Sequence, residues 1–302
     1  QLYDVGSTPS SLQLCESYLS VQSDLNGFSI SVTDPYYDEV IYDNPLAYYR
    51  MSDAAGTICK DFSGNANTGT YPASNISFGQ VGGLLTDGDT AVKITNTSRV
   101  NAAFAIVANL PVGASQRSME CWFNPTTSST QFTTSGGSIC GYPFSAAPVA
   151  AADFFEITYS RNGDGKFGLN FDNLQVYTNS RYSINAYHHL VATYDGTTAK
   201  LFVDGIQQLT SGVVLATTNQ GIASSNFTIF GPVQTTATLR DGTIDEVAIY
   251  DTVLTPGRIR AHYQAGIKNI LGMTASNLLR QESGLFSDAT GLGVYFSGST
   301  GT

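Results

Sequence analysis

The densest group of side chains that could bind a metal ion lies in one short stretch, KDFSGNANTGTY, at residues 60–71. Asp61, Ser63, Asn65 and Asn67 bring several oxygen atoms onto a loop that contains two glycines. Calcium takes about six to eight oxygen ligands in flexible geometry, so this composition fits a calcium loop. The alternative is an ordinary Asx-rich turn, in which the same side chains hydrogen-bond their own backbone.

A carboxylate also lies inside a predicted strand, TIDEVAIYD, at residues 243–251. Strand alternation predicts that Asp245 points to the same side as Val247 and Ile249. A carboxylate buried alone is costly, so Asp245 must be paired, hydrogen-bonded or bound to a metal ion.

The single tryptophan, Trp122, lies in the strand-like segment RSMECWFNP at residues 117–125. It is either a platform for stacking a sugar or a core residue, and a tryptophan in the middle of a strand between apolar neighbours favours the core. Five further aromatic residues are predicted to crowd one end of the domain, where they would serve equally well for contacts or for packing: Tyr142, Phe144, Tyr177, Tyr182 and Tyr187.

Nucleophilic catalysis finds no support in the sequence. There is no Gly-x-Ser-x-Gly elbow, which hydrolases with a serine nucleophile place on a strand-to-helix turn. His188 and His189 are adjacent on a predicted strand, so their side chains point apart and do not favour a shared metal ion.

The four cysteines, Cys15, Cys59, Cys121 and Cys140, have no C-x-x-C spacing. A zinc site or a redox motif is therefore not predicted. Free buried thiols are the favoured interpretation, and a bridge between Cys121 and Cys140 is the alternative that we keep open.

The element that organises the rest of the chain is a predicted β-hairpin, NAYHHLVATYDGTTAKLFVDG, at residues 185–205. Apolar and polar side chains alternate on both sides of Asp195-Gly196, a pair typical of a type I′ turn. A second turn signal, Asp204-Gly205, sends the chain back. Since both faces of the hairpin carry apolar side chains, the pattern predicts a two-layered sandwich.

A short helix is predicted after the last strand. Thr255 is a suitable N-cap, Pro256 suits the first helical position, and Gly266 is a suitable C-cap.

Composition limits the classes of partner that the protein is predicted to bind. The 302 residues carry a formal charge of -10 with only 14 Lys and Arg, and no basic cluster is present, so nucleic-acid binding is not predicted. No run of apolar residues is long enough to span a membrane. Only 13% of the residues are charged, which is more typical of an extracellular or particle-surface β protein than of a cytosolic enzyme.

Four motifs resemble, in order, those of laminin-G-like domains of the concanavalin A-like jelly-roll group. They are NPLAYYRMSDAAGT (44–57), SMECWFNP (118–125), the central hairpin, and GTIDEVAIYDTVLTPGRIRAHYQAG (242–266). The resemblance implies an all-β, two-sheet antiparallel jelly-roll sandwich at residues 41–267, with one short C-terminal helix. Residues 1–40, which do not match the family, would be an N-terminal arm or a small hairpin, and residues 268–302 would be a C-terminal arm.

The resemblance also bears on the candidate sites. It implies that Asp245 lies beside the loop of Asp61, Asn65 and Asn67, so that these residues hold one structural calcium ion. Glucanases share the fold, but the Glu-x-Asp-x-x-Glu run that would place two carboxylates on one strand face is absent. We therefore predict that the protein is not an enzyme.

The opening motif resembles modules of tailed-phage virion proteins. It implies a structural protein of the virion surface, a capsid decoration, head fibre or tail component, whose arms contact other copies and neighbouring virion proteins. Binding of host glycans is compatible with this role. The alternative is a secreted carbohydrate-binding module that uses aromatic residues of 126–188.

Overall fold

The computed structural model describes residues 18–24, 27–84, 89–94, 104–126, 137–142, 155–159, 164–171, 174–208, 213–214, 226–229, 242–267, 286–287 and 294–295. The chain divides into two compact units. One comprises residues 1–38, 84–88 and 266–302, and the other comprises residues 39–83 and 89–265.

The strands of the first half are β1 (Tyr18–Asp24), β2 (Gly27–Thr33), β3 (Ala47–Tyr49), β4 (Ile58–Cys59), β5 (Gly69–Thr70), β6 (Ile76–Val81), β7 (Thr90–Ile94), β8 (Phe104–Ile106), β9 (Arg117–Pro125) and β10 (Gly137–Tyr142). Those of the second half are β11 (Phe155–Tyr159), β12 (Phe167–Phe171), β13 (Leu174–Tyr177), β14 (His188–Tyr194), β15 (Thr198–Val203), β16 (Ile206–Gln207), β17 (Val213–Val214), β18 (Asn226–Ile229), β19 (Gly242–Tyr250), β20 (Phe286–Ser287) and β21 (Val294–Tyr295). The described helices are α1 (Pro35–Tyr42) and α2 (Pro256–Ile267).

The smaller unit contains two antiparallel strand pairs. Strands β1 and β2 form a hairpin in which Asp24 lies opposite Gly27, and β20 pairs with β21. Most of the predicted C-terminal arm, residues 268–302, lies outside the described residues, and the boundaries at 40 and 267 stay a prediction.

The larger unit is a sandwich of two antiparallel sheets, so the predicted fold class is confirmed. One sheet has eight strands in the order β13-β12-β11-β10-β18-β8-β5-β4. The other has nine, with the path β16-β15-β14-β9-β19-β7-β6 and with β17 and β3 pairing beside it. We refer to them as the eight-stranded and the nine-stranded sheet.

The core lies between the two sheets and follows the period-two pattern of the sequence. Leu190, Ala192 and Tyr194 of β14 face it, as do Leu201 and Val203 of β15. These are the faces that the alternation of the central hairpin predicts, because successive side chains of a strand point to opposite faces.

The first turn of the central hairpin differs from the prediction. Strand β14 ends at Tyr194 and β15 begins at Thr198, so residues 195–197 form the connection, which is one residue longer than the two-residue loop of a type I′ turn. Gly196 has a positive φ of 101°. The carboxylate of Asp195 closes the turn by accepting hydrogen bonds from the backbone N–H groups of Thr197 and Thr198 at 2.9 and 2.7 Å.

Strand β19 contains a bulge that the sequence pattern does not reveal. Its pairing with β9 shifts between Asp245 and Ala248, and Glu246 adopts a left-handed φ of 52°. Ile244 and Val247 both face the core as a result. Asp245 lies opposite Trp122 on the outer face, so its predicted placement beside Val247 and Ile249 is wrong.

Helix α2 begins as predicted. The Thr255 hydroxyl accepts a hydrogen bond from the Arg258 N–H at 3.2 Å, which is the geometry of an N-cap. The helix continues to Ile267, one residue beyond the predicted end, and α1 adds a helix to the single one that the fold prediction contained. Neither described helix has the length and apolar character needed to cross a bilayer.

Candidate functional site

The turn between β15 and β16 places one carboxylate at the rim of the sandwich. Val203 pairs with Ile206, so Asp204 and Gly205 form a two-residue turn with positive φ values of 53° and 75°. Positive φ at both central residues is the requirement of a type I′ turn. The predicted turn at this position is therefore confirmed, and it fixes the backbone of Asp204.

Two residues of strand β14 contact the Asp204 side chain. His188 Nδ1 lies 2.8 Å from Asp204 Oδ2, and the backbone N–H of His189 donates to Oδ1 at 3.0 Å. The side chain of Asp204 remains 28% exposed and that of His188 14% exposed. Each carboxylate oxygen can accept more than one hydrogen bond, so Asp204 keeps acceptor capacity towards solvent.

Two aromatic rings pack against the neighbours of this carboxylate. The Tyr182 ring packs edge-on against His188 with 4.9 Å between ring centroids, and its hydroxyl donates to Gln208 Oε1 at 2.8 Å. The Tyr263 ring of α2 lies against Gly205, where an added Cβ would be 3.2 Å from Tyr263 Cδ1.

The pKa values of both tyrosines report the nearby negative charge. Burial raises the pKa of Tyr182 to about 12, and the charge of Asp204 adds to that rise. Burial also raises the pKa of Tyr263, again with a contribution from Asp204. Both phenols are therefore neutral hydrogen-bonding groups at physiological pH. We call Tyr182, His188, Asp204, Gln208 and Tyr263 the rim cluster.

The rim cluster combines groups that recognise polyhydroxylated molecules. It offers a carboxylate acceptor, a phenol, an amide and two partly exposed aromatic rings. His188 Nε2 is buried and hydrogen-bonds no group among the described residues, and a buried nitrogen of this kind calls for a water or ligand partner.

A second row of polar residues runs across strands on the outer face of the eight-stranded sheet. Thr228, Gly141, Glu156 and Asn170 lie side by side in neighbouring strands, and Asn170 Nδ2 donates to Glu156 Oε2 at 2.9 Å. Glu156 and Asn170 are each 2% exposed and Thr228 is 0% exposed. A ligand in solution has no access to these side chains in this conformation, which favours the rim cluster as the candidate site.

A buried polar network lies on the outer face of the nine-stranded sheet, next to α2. Glu120 of β9 accepts hydrogen bonds from His189 Nε2 at 2.9 Å and from the Tyr250 hydroxyl, and its Oε2 lies 3.0 Å from His262 Nδ1. His262 Nε2 lies 2.9 Å from Asp43 Oδ2. Glu120, His189 and His262 are 0% exposed.

The charges in this network stabilise one another. Burial alone would raise the pKa of Glu120, but the charge of His262 and hydrogen bonds from His189 and His262 hold it well below its usual range. Burial would lower the pKa of His262, but Glu120 and Asp43 raise it to about 9. Both imidazole nitrogens of a protonated His262 donate, one to each carboxylate. The network thus attaches α2 to the sheet, and its complete burial keeps it from solutes.

The predicted calcium loop is folded around Asp61. Its Oδ1 accepts hydrogen bonds from the N–H groups of Tyr48 and Ser63 at 3.0 and 2.9 Å. Its Oδ2 accepts from the Ser63 hydroxyl at 2.9 Å and from the Asn67 N–H at 2.7 Å. Asn65 Nδ2 donates to Pro45 O at 3.0 Å. These bonds are the ones that the Asx-turn alternative requires.

The structure gives Asp245 a different set of partners from Asp61. The N–H of Gly83, which lies outside the loop at residues 60–71, donates to Asp245 Oδ2 at 2.7 Å. No group of three or more His, Cys, Asp or Glu in the described part of the chain is arranged to hold a metal ion. One calcium held by Asp61, Asn65, Asn67 and Asp245 stays a proposal, and its measurement is the melting temperature with and without EDTA.

The predicted aromatic residues separate in the structure. Trp122 is 2% exposed, stacks on Tyr263 with 5.9 Å between ring centroids and packs at a tilt against His189 at 5.1 Å. It is therefore buried, as predicted, but on the outer face of the nine-stranded sheet and not between the two sheets. Tyr142 is fully buried. Tyr182 belongs to the rim cluster, and Phe144 lies outside the described residues.

Sequence reasoning missed the roles of Glu120 and Asp204. The alternation of β9 indicates that Glu120 points away from Met119 and Cys121, but nothing local indicates which side chains meet it. Asp204 is recognisable from the sequence only as a turn residue, since Tyr263 lies far along the chain.

Comparison with known proteins places the fold. A family model described as the concanavalin A-like lectin/glucanases superfamily, of the laminin-G type, matches residues 87–260, which is more than half of the 302 residues. No curated protein matches the chain in sequence.

Similar solved structures include enzymes and binding domains. Trypanosoma rangeli sialidase is 14% identical with a TM-score of 0.53, covering 76% of this chain and 33% of the sialidase. The binding domain of Paraclostridial Mosquitocidal Protein 1 is 12% identical with a TM-score of 0.53, covering 74% and 53% of the two chains. The receptor binding domain of botulinum neurotoxin type G is 14% identical with a TM-score of 0.52, covering 73% and 51%. The chain thus spans about a third of the sialidase and half of each toxin domain.

Proposed function

Since the chain belongs to the concanavalin A-like lectin/glucanases superfamily, we propose that it is a non-catalytic module that binds carbohydrate through the rim cluster. The observation that carries the proposal is the part-exposed carboxylate of Asp204, held by a tight turn and near enough to Tyr182 and Tyr263 for its charge to act on both. The superfamily contains both binding domains and enzymes, so the site and not the fold supports the choice.

The chemistry of the rim cluster matches that of a sugar. A pyranose presents neighbouring hydroxyl groups that donate to a carboxylate, and C–H faces that pack on aromatic rings. Asp204 has remaining acceptor capacity, and Tyr182 and Tyr263 supply rings that pack against its neighbours His188 and Gly205. Because a tight turn holds Asp204, a strand holds His188 and a helix holds Tyr263, little ordering of these groups accompanies binding, which favours affinity.

The same geometry supports binding without hydrolysis. A retaining glycosidase of the glucanase kind places two carboxyl groups about 5 Å apart. Asp204 is the one carboxylate of the rim cluster, and the ring nitrogen that pairs with it is His188 Nδ1 at 2.8 Å. The acids Glu120, Glu156, Asp245 and Glu246 lie on strands of the two sheets and are at most 2% exposed.

A glycan array probed with the full chain tests the proposal, followed by calorimetric titration of the best saccharide. Asp204→Asn keeps the size of the side chain and tolerates positive φ, and we expect it to weaken binding by about tenfold or more because a charge-assisted hydrogen bond is lost. Asp251→Asn removes the same charge at an exposed position and is expected to bind like the parent chain. An array without any saturable signal would contradict the proposal.

An activity screen provides the complementary measurement. The full chain is expected to release no product from β-glucans or from sialyllactose. Turnover that purifies with the chain and is lost in an acidic-residue variant would show an enzyme instead.

The proposed setting is the surface of a tailed-phage virion, with a secreted module as the alternative setting. The motif NPLAYYRMSD supports the virion, and a compact unit made of both chain ends supports contacts with other copies and with neighbouring virion proteins. Immunogold labelling of intact particles with an antibody against residues 34–267 is expected to mark the surface. Light scattering is expected to show the full chain as a homo-oligomer and residues 34–267 as a monomer. Unlabelled particles would favour the secreted module.

A further inference from the structure

Two cysteines from opposite sheets meet in the centre of the sandwich. Cys121 lies on β9 of the nine-stranded sheet and Cys140 on β10 of the eight-stranded sheet, with the two Sγ atoms 4.0 Å apart. Both residues are 0% exposed. Their side chains point at one another from the two layers that form the core.

We propose that Cys121 and Cys140 are a disulfide site that covalently joins the two sheets when the chain folds in an oxidising compartment. The Sγ atoms need to approach by about 2 Å to reach the usual disulfide bond length. The bridge would close the loop that runs from β9 to β10, and cross-linking a loop constrains the unfolded chain.

The third described cysteine has a different environment. Cys59 is buried beside Tyr71, with Asp53 and Asp61 near it. No sulfur of another described cysteine lies within hydrogen-bonding distance of it. The structure therefore brings together the one pair that the sequence prediction kept open, Cys121 and Cys140. All three described cysteines are buried free thiols in it, as predicted.

Burial of the two thiols determines at which stage of folding the disulfide bond can form. Burial, strengthened by the neighbouring Cys140, raises the pKa of the Cys121 thiol well above its usual range. The thiolate is the nucleophile of thiol–disulfide exchange, so the folded protein reacts slowly. Oxidation therefore accompanies folding, before the two sheets close over the sulfurs.

The reaction balances with glutathione disulfide as the oxidant. One cysteine thiolate attacks a sulfur of glutathione disulfide, forms a mixed disulfide and releases one glutathione thiolate. The second cysteine thiolate attacks the protein sulfur of the mixed disulfide and releases another. The two cysteines lose two electrons and two protons, and two glutathione molecules carry both away.

The full chain can be tested by refolding it from urea, once with reduced glutathione alone and once with a mixture of reduced glutathione and glutathione disulfide. After thiol alkylation, mass spectrometry of the oxidised sample is expected to show a Cys121–Cys140 peptide with Cys59 alkylated. The oxidised chain is expected to have a higher urea midpoint than the reduced chain. Alkylation of both Cys121 and Cys140 in that sample would overturn the proposal.

Two comparisons sharpen the test. Cys59→Ala is expected to keep the oxidation-dependent rise in midpoint, whereas Cys121→Ala with Cys140→Ala is expected to lose it. Glutathione disulfide added to the folded reduced chain is expected to form the bridge at least about tenfold more slowly than during refolding. Equal rates would contradict oxidation during folding. If the double variant does not fold, the peptide map of the parent chain still decides the pairing.

Discussion

Glu120 illustrates how single residues of this sandwich depend on distant partners. Its carboxylate is fully buried, and it is stable there because His189, Tyr250 and His262 all hydrogen-bond it. Removing one partner of a buried charge is strongly destabilising, since it leaves the other charge uncompensated. The residues of this network are therefore expected to tolerate substitution less well than those of the rim cluster.

This network predicts how stability depends on pH. The pKa of His262 is raised to about 9, so the protonated form favours the folded state. Its stabilisation is complete below its unfolded pKa near 6.5, is on the order of 3 kcal/mol, and is lost as the pH rises through about 9. The lowered pKa of Glu120 acts in the opposite range: its stabilisation is complete above its unfolded pKa near 4.5 and is lost progressively as the pH falls from there through its lowered folded pKa.

Urea midpoints measured between pH 4 and pH 10 are therefore expected to be highest around pH 5 to 6. His262→Gln is expected to flatten the alkaline decline while lowering stability overall. A midpoint that stays constant between pH 7 and pH 10 in the parent chain would show that His262 is not held in its charged form.

At the scale of elements, α2 is held by its cap as well as by the sheet. The Thr255 hydroxyl accepts from the Arg258 N–H, and Arg258 Nε lies 2.9 Å from Asp43 Oδ2. We expect Thr255→Ala to lower the free energy of unfolding by about 1 kcal/mol, as the loss of an N-cap does. Thr255→Ser keeps the hydroxyl and should cost less, and equal costs of the two variants in urea titrations would argue against the cap.

The loop at residues 60–71 is an element held together by one side chain. Asp61→Asn replaces an acceptor oxygen by an N–H donor that would face either the Tyr48 and Ser63 N–H groups or that of Asn67. We expect the free energy of unfolding to fall by about 1 to 3 kcal/mol, in EDTA as well as without it. If a calcium ion is bound, EDTA is expected to lower the melting temperature of the parent chain. If Asp61→Asn lowered the free energy of unfolding only in the absence of EDTA, the role of Asp61 would be to bind the ion and not to hold the loop.

At the scale of the whole molecule, the sandwich has its own core. All residues of the core cluster lie between Ala47 and Ile249. A chain limited to residues 34–267 keeps both described helices, the Asp34 cap of α1 and every strand of the two sheets. We expect it to fold with the fluorescence of buried Trp122 and with a urea midpoint close to that of the full chain. Emission typical of exposed tryptophan would mean that the sandwich needs the remaining residues.

The sequence by itself determined the layered architecture, because the information is local. Alternation between apolar and polar side chains in β14 and β15 reveals which face is buried, and Thr255-Pro256 marks the start of α2 whatever lies around it. The order of four motifs along the chain also predicted the superfamily. Each of these signals depends on neighbours within a few positions along the chain.

Tertiary structure decided what the polar residues do. Asp245 lies on the opposite face from Val247 and Ile249 because one extra residue in the bulge of β19 inverts the alternation. The left-handed φ of Glu246 has no sequence signature. Glu120 contacts His262, and Asp204 lies near Tyr182 and Tyr263, only because strand order and helix docking bring together residues far apart in the chain. A period-two pattern shows that a side chain points inward or outward, but the partner it meets is set by which strands and helices become neighbours.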